Sequence, residues 1–188
     1  MRVRAEQVAA TRERILATAM QLFGTRLYDE VSLDDVAAGA ETTVQTVIRH
    51  FGSKDSLFAA VADWSSDRMV APREEARAGD VGGAVRGLVD HYEEWGDGLF
   101  LLLSQEDRVP AIRPQMDEGR AYHRDWVERL MGDALAGLRG AARERRLAQL
   151  IAVTDLYTWK LLRRDHGLSR RQTETAIREL IEALGRED

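Results

Sequence analysis

Residues 43–57 read Thr43-Val44-Gln45-Thr46-Val47-Ile48-Arg49-His50-Phe51-Gly52-Ser53-Lys54-Asp55-Ser56-Leu57. Thr43 is a helix N-cap residue, because its short side chain can accept from the unpaired N–H groups of a first turn. Val47 and Phe51 stand four apart, so a helix places both on one inward face. Gln45, Ile48 and Arg49 then face outward, and Val44 sits at the exposed N-terminal end. Gly52 ends the helix. Ser53 caps the next one, which starts at Lys54 and runs through Leu57, Phe58, Val61 and Trp64 toward Pro72.

Upstream, Ser32 is a second N-cap, with Asp35 three residues on as an approximate capping box. Val36 and Ala37 face inward on the short helix that follows. Gly39-Ala40-Glu41-Thr42 makes a brief turn. A longer helix covers about Glu6 to Phe23, with the apolar stripe Val8, Ile15, Leu16, Ala19, Leu22 and Phe23. Two short helices joined by a tight turn and backed by a third form a helix-turn-helix. In that motif the second helix enters the major groove of DNA and the first braces it across the backbone.

The stretches Arg14-Ile15-Leu16, Leu22-Phe23, Val31 to Ala37 and Thr43 to Leu57 resemble the signature of the tetracycline-repressor (TetR) family. The ending His50-Phe51-x-Ser53-Lys54-acid-x-Leu57 is specific to that family. The resemblance covers about the first third of the chain. It implies an all-helical homodimer, with a small N-terminal DNA-binding domain and a larger C-terminal domain for dimerisation and ligand sensing. Residues 1–53 are then the DNA-binding domain, 54–71 a linking helix and 72–188 the ligand-binding and dimerisation domain.

Carried over position by position, Thr43, Gln45, Thr46, His50 and Lys54 fall where family members contact an operator. Ser32, Val44, Ile48 and Arg49 complete the expected DNA-binding set, Arg49 from its outward angle. Thr43 and Thr46 offer hydroxyls to phosphates, and Gln45 suits an adenine edge. Lys54 suits a phosphate at a helix start. His50 has a second reading, as a helix-end residue interacting with the dipole. Two departures from the family stand out. Glu41 occupies a turn position that is usually Gly, where positive φ disfavours a side chain. Ile48 stands where a Tyr is common, exchanging a hydroxyl for a methyl-bearing surface suited to thymine.

Charge alone does not suggest nucleic acid. The 188 residues carry a formal net charge of −5, and residues 1–60 hold seven basic against eight acidic side chains. Arg2 and Arg4 read as a tail or as a basic arm for the minor groove. The chain has no cysteine, which excludes disulfides, thiolate metal sites and Cys nucleophiles and fits a reducing compartment. The N-terminus carries no apolar stretch, and apolar runs such as Leu99–Leu103 are too short to span a bilayer. The expectation is a cytoplasmic protein with no membrane partner.

Beyond Pro72 the pattern predicts helices near Val81–Trp95, Leu99–Glu106, Ala111–Leu138, Ala142–Asp165 and Arg170–Leu184, with breaks at Gly96-Asp97-Gly98, Arg139-Gly140 and Gly167-Leu168-Ser169. Tyr92, Trp95, His123, Trp126 and Tyr157 are candidates for a mainly apolar effector pocket between helices; taken singly, each also suits a plain core. Leu161, Ile177, Leu180, Ile181 and Leu184 are candidates for a dimer face on the last two helices, and packing within one subunit is the other reading. Catalytic motifs are absent: no His-Glu-x-x-His, no Gly-x-Ser-x-Gly and no phosphate-cradling loop. No metal and no cofactor is expected. The partners expected are double-stranded DNA, a second copy of the chain and an unidentified small-molecule effector. The alternative is a helical ligand-binding protein or enzyme on the same scaffold that does not bind DNA.

Overall fold

The computed structural model describes residues 2–185, with the side chains of residues 2–5 and 72 excepted. The arm expected from Arg2 and Arg4 therefore lies outside the described side chains. Among the described residues the fold is all helix and turn. The helices are α1 (Arg2–Thr25), α2 (Leu33–Gly39), α3 (Val44–Phe51), α4 (Lys54–Glu74), α5 (Val81–Leu103), α6 (Arg113–Leu130), α7 (Gly140–Thr154), α8 (Leu156–Lys160) and α9 (Arg170–Leu184). No helix among the described residues is long and apolar enough to cross a membrane.

The chain forms two compact units. One holds residues 1–67 and 97–117; the other holds 68–96 and 118–188. Residues 97–117 thus pack with the N-terminal helices, although their place in sequence groups them with the second half.

In the first unit Ile15, Leu16, Ala19 and Phe23 of α1 meet Val36 and Ala37 of α2, Val47 of α3 and Leu57, Phe58 and Val61 of α4, all buried. Val8, the first residue of the predicted stripe, is 48% exposed and outside this core. Phe23, Tyr28 and Phe58 form an aromatic trio with ring centroids 5.1–5.5 Å apart. Edge-to-face pairs such as Phe23–Phe58 add roughly 0.5–1.5 kcal/mol to the area they bury. Gln105, buried in the 97–117 segment, accepts from the Tyr28 N–H at 2.8 Å and donates to Leu101 O at 2.8 Å. Without it a buried N–H would be left unpaired. Gly98 lies against the backbone of Gly24, where an added Cβ would come within 3.2 Å of the Gly24 carbonyl oxygen.

In the second unit the core is built on Val85, Leu88, Val89, Trp126, Val127, Leu130, Leu147, Leu150, Trp159 and Ile177. The helix expected to stop at Trp95 instead continues as α5 through Gly96. A Cβ there would meet the Trp159 ring at 2.6 Å, so Gly96 serves close approach and not a break. Conversely, the helix expected from Ala142 to Asp165 is interrupted. Asp155 adopts φ −74°, ψ 156° and caps α8, accepting from Tyr157 N at 2.9 Å. The Thr154 carbonyl accepts from the Tyr92 hydroxyl at 3.1 Å. A wide turn follows, closed by His166 N donating to Leu161 O at 2.9 Å. The predicted α9 appears over Arg170–Leu184, capped by Ser169 with Gln172 as a reciprocal partner.

Candidate nucleic-acid interface

Helix α3 is eight residues long, about 12 Å at 1.5 Å per residue, a length that fits a major groove. Its start is fixed by Thr43, which is extended (φ −104°, ψ 151°) and accepts from Thr46 N at 3.2 Å. The Thr43 and Thr46 hydroxyls lie 3.0 Å apart. Val47 is fully buried and Phe51 half-buried, so the helix is anchored on that side. Gln45, Ile48 and Arg49 are exposed, while Val44, Thr46 and His50 are half-buried. The helix ends at Gly52, where φ is +81° and the N–H donates to Ile48 O at 2.7 Å.

The turn before α3 is a Schellman motif. Thr42 N donates to Ala37 O at 2.9 Å and Glu41 N to Ala38 O at 3.2 Å. This geometry needs a left-handed residue after the cap, usually Gly. Glu41 fills the position at φ 50°, the one positive φ of a non-glycine residue among the described residues. The turn expected to be strained at Glu41 therefore keeps the glycine conformation despite the side chain. Arg14 reaches the turn from α1, its Nε donating to Ala40 O at 3.4 Å, and the Arg12 guanidinium lies 5.5 Å from the Phe51 ring. Neither brace was singled out from sequence; both appear only when α1 is laid beside the turn.

Ser32 and Lys54 have defined partners inside the domain. Ser32 accepts from Asp35 N at 3.0 Å, and its hydroxyl and its N–H both donate to the Asp35 carboxylate, at 2.6 and 2.9 Å. Those bonds, with the Ser32 hydroxyl contributing most, hold the Asp35 carboxyl below the usual range. The Lys54 ammonium donates to Tyr28 O at 2.9 Å and Val31 O at 3.0 Å and lies 4.3 Å from the Tyr28 ring centroid. One N–H remains for a phosphate.

The pocket and dimer candidates fall in the second unit, and they separate. Tyr92, His123 and Trp126 are buried, whereas Tyr157 is 57% exposed. Trp95 is half-buried, with an indole N–H that has no acceptor. His123 and Trp126 stack at 5.6 Å. Sequence reasoning missed Arg73, which is 4% exposed and joins this cluster. Its Nη2 donates to His123 Nδ1 at 2.6 Å. With that nitrogen accepting, the His123 proton sits on Nε2, 3.1 Å from the Thr154 hydroxyl. Trp126 Nε1 donates to Arg73 O at 3.1 Å, and His91 Nδ1 pairs with Met69 O at 2.7 Å. Burial first, and then Arg73, pull His91 down to about 4 and His123 down to about 3. Among the dimer candidates, Ile177 and Ile181 are buried inside the chain and Leu184 is half-buried, while Leu161 and Leu180 are 50% and 44% exposed.

Residues 15–61 match the model of the family described as bacterial regulatory proteins, tetR family. An HTH-type transcriptional repressor of Mycobacterium tuberculosis (strain ATCC 25618 / H37Rv) is 34% identical over 121 residues, which cover 60% of this chain and 62% of that protein. The match thus spans less than two thirds of that relative. A tetR-family transcriptional regulator from Streptomyces coelicolor has the same fold, with a TM-score of 0.74 at 24% identity over 93% of this chain and 79% of its own. A transcriptional regulator from Rhodococcus sp. Rha1 superposes with a TM-score of 0.69 at 20% identity, over 92% and 95% of the two chains.

Proposed function

We propose, from the match of residues 15–61 to the tetR family of bacterial regulatory proteins, that the chain is a cytoplasmic repressor of that kind. In this reading it holds a palindromic operator as a homodimer and releases it when a small effector binds the C-terminal helices. One observation carries the reading: α3 is anchored by buried Val47 and leaves Gln45, Ile48 and Arg49 exposed on the other side. Residues 1–53 read the DNA. Gln45 pairs with an adenine edge, Ile48 and Val44 meet apolar groove atoms, and Arg49 reaches a guanine or a phosphate. Ser32, Thr43, Thr46, His50 and the remaining Lys54 N–H position the backbone.

Residues 72–188, apart from the 97–117 segment that packs in the first unit, carry the effector and dimer functions. Two copies related by a two-fold axis present their α3 helices to half-sites about 34 Å apart. An effector that binds more tightly to a conformation with another spacing lowers operator affinity by that difference in affinity. Selection from a random duplex pool tests the DNA reading. A palindromic consensus is expected, and a pool that enriches no palindrome refutes it.

The net charge of −5 favours a second reading, a helical ligand-binding protein or enzyme without DNA binding. Salt dependence separates the two. With Arg49 and Lys54 of two protomers on phosphates, log K should fall against log salt with a slope of about −4. The absence of a salt-dependent complex selects the second reading.

A further inference from the structure

We infer that Arg73 is the anchor of an anion site in the second unit, and that the effector is a small carboxylate with an aromatic or aliphatic body. The inference rests on the proposed ligand-sensing role of that unit and names the chemistry it senses.

The guanidinium is almost fully buried, yet among the described residues it forms no ion pair. Its faces are covered: Trp126 lies 4.4 Å and Tyr122 5.0 Å from its centre. Stacking rings satisfy the faces of the ion but not its in-plane N–H edges. One edge donates to His123, and the Nε–H has no acceptor. Glu74, next in the chain, is the nearby carboxylate, but it takes two bonds from Arg129 at 2.8 Å and one from the Tyr122 hydroxyl at 2.5 Å. Glu74 acts on Arg73 only through space, and the other surrounding groups add no negative charge: His91 and His123 are neutral at pH 7, and burial raises the Tyr92 hydroxyl above its ordinary range. A buried charge in such a setting is normally paired. A planar fork with a vacant donor matches a carboxylate, and the adjoining rings of Tyr122 and Trp126 suit an apolar body.

The test uses the full chain without DNA, so its outcome is independent of operator reading. Thermal melts at pH 7 are run with benzoate, phenylacetate and hexanoate, each beside its neutral amide. At least one carboxylate should raise Tm by about 5 °C at saturation while its amide leaves it in place. Arg73→Met should melt cooperatively and lose the carboxylate shift. Arg73→Lys, which keeps the charge but not the fork, should bind that carboxylate about tenfold more weakly, and serves should Arg73→Met not fold. The inference is overturned by amides that act as well as their acids, by a panel in which no carboxylate raises Tm, or by variants with undiminished shifts. Amides that bind as well as acids would leave the ligand-sensing role standing and remove only its charge.

Discussion

The ammonium of Lys54 sits 4.3 Å from the ring of Tyr28 and donates to the carbonyl of that same residue at 2.9 Å. With its second bond, to Val31 O at 3.0 Å, it ties the start of α4 to the segment leading into α2. Lys54 therefore holds the helix-turn-helix together, and in the proposed function it also offers a charge to DNA. Lys54→Ala should lower unfolding free energy by about 2 kcal/mol, the worth of hydrogen bonds from a charged donor. It should weaken binding to all duplexes alike and reduce the salt slope by about 2 for a dimer. Urea melts and binding titrations at several salt concentrations check both parts. A stability unchanged by the substitution would show that the two carbonyl bonds contribute nothing net.

Gln45 is exposed on α3 and is not needed by the core. Gln45→Ala should leave stability within about 0.5 kcal/mol of the parent. Binding should lose about 1–3 kcal/mol of discrimination at one base pair in each half-site, with other positions unaffected. Repeating the duplex selection with this variant checks it. A uniform loss across sequences would make Gln45 a backbone contact.

The helix-turn-helix was legible because its signals are local. Thr43, Gly52 and Ser53 mark ends through their own backbones, and Val47 and Phe51 need only helical spacing to share a face. What was not legible depends on partners distant in sequence. The glycines at 96 and 98 read as a break, but they admit Trp159 and the Gly24 backbone at close range. Helical spacing runs through Thr154, but the helix breaks after it, where the Tyr92 hydroxyl donates to its carbonyl. Arg73 carries a charge that sequence alone places at the surface; only the rings of Tyr122 and Trp126 reveal it as buried. On α9 the helical spacing alone does not separate the buried Ile177 and Ile181 from the exposed Leu180.

Glu41 holds φ at 50° in a Schellman turn, a conformation that opposes a side chain by about 1–2 kcal/mol. Glycine relieves the clash but gains entropy in the unfolded chain, which returns part of the difference. Glu41→Gly should raise unfolding free energy by about 1 kcal/mol. It also removes an acid next to the reading helix, so affinity for DNA should rise at low salt. Denaturant midpoints of the two proteins check the first expectation. A destabilised glycine variant would mean that the Glu41 side chain makes a compensating contact.

Leu161 and Leu180 expose apolar surface in the second unit, and Tyr157 lies one turn before Leu161. If these residues meet a second copy, Leu180→Glu should convert the dimer to a folded monomer, read by light scattering and circular dichroism. Ile177→Glu should instead unfold the chain, because a carboxylate would enter the core. A dimer that survives Leu180→Glu places the interface elsewhere.

His91 and His123 supply a pH test that is independent of DNA. Both are held neutral in the folded chain, His91 down to about 4 and His123 down to about 3, by burial first and by Arg73 second. The unfolded chain binds those protons near pH 6.5. Between that value and the folded pKa values the unfolded state carries more protons, so stability must fall as pH falls. Their contribution is fully present above about pH 6.5 and is lost progressively below it. Urea midpoints should drop from pH 7 to pH 5, before most carboxylates titrate. His123→Gln, which keeps an acceptor for Arg73 and removes the titration, should flatten the decline. A His123→Gln protein as acid-sensitive as the parent would move the effect to His91, and a parent with a flat profile would mean that neither ring is held neutral.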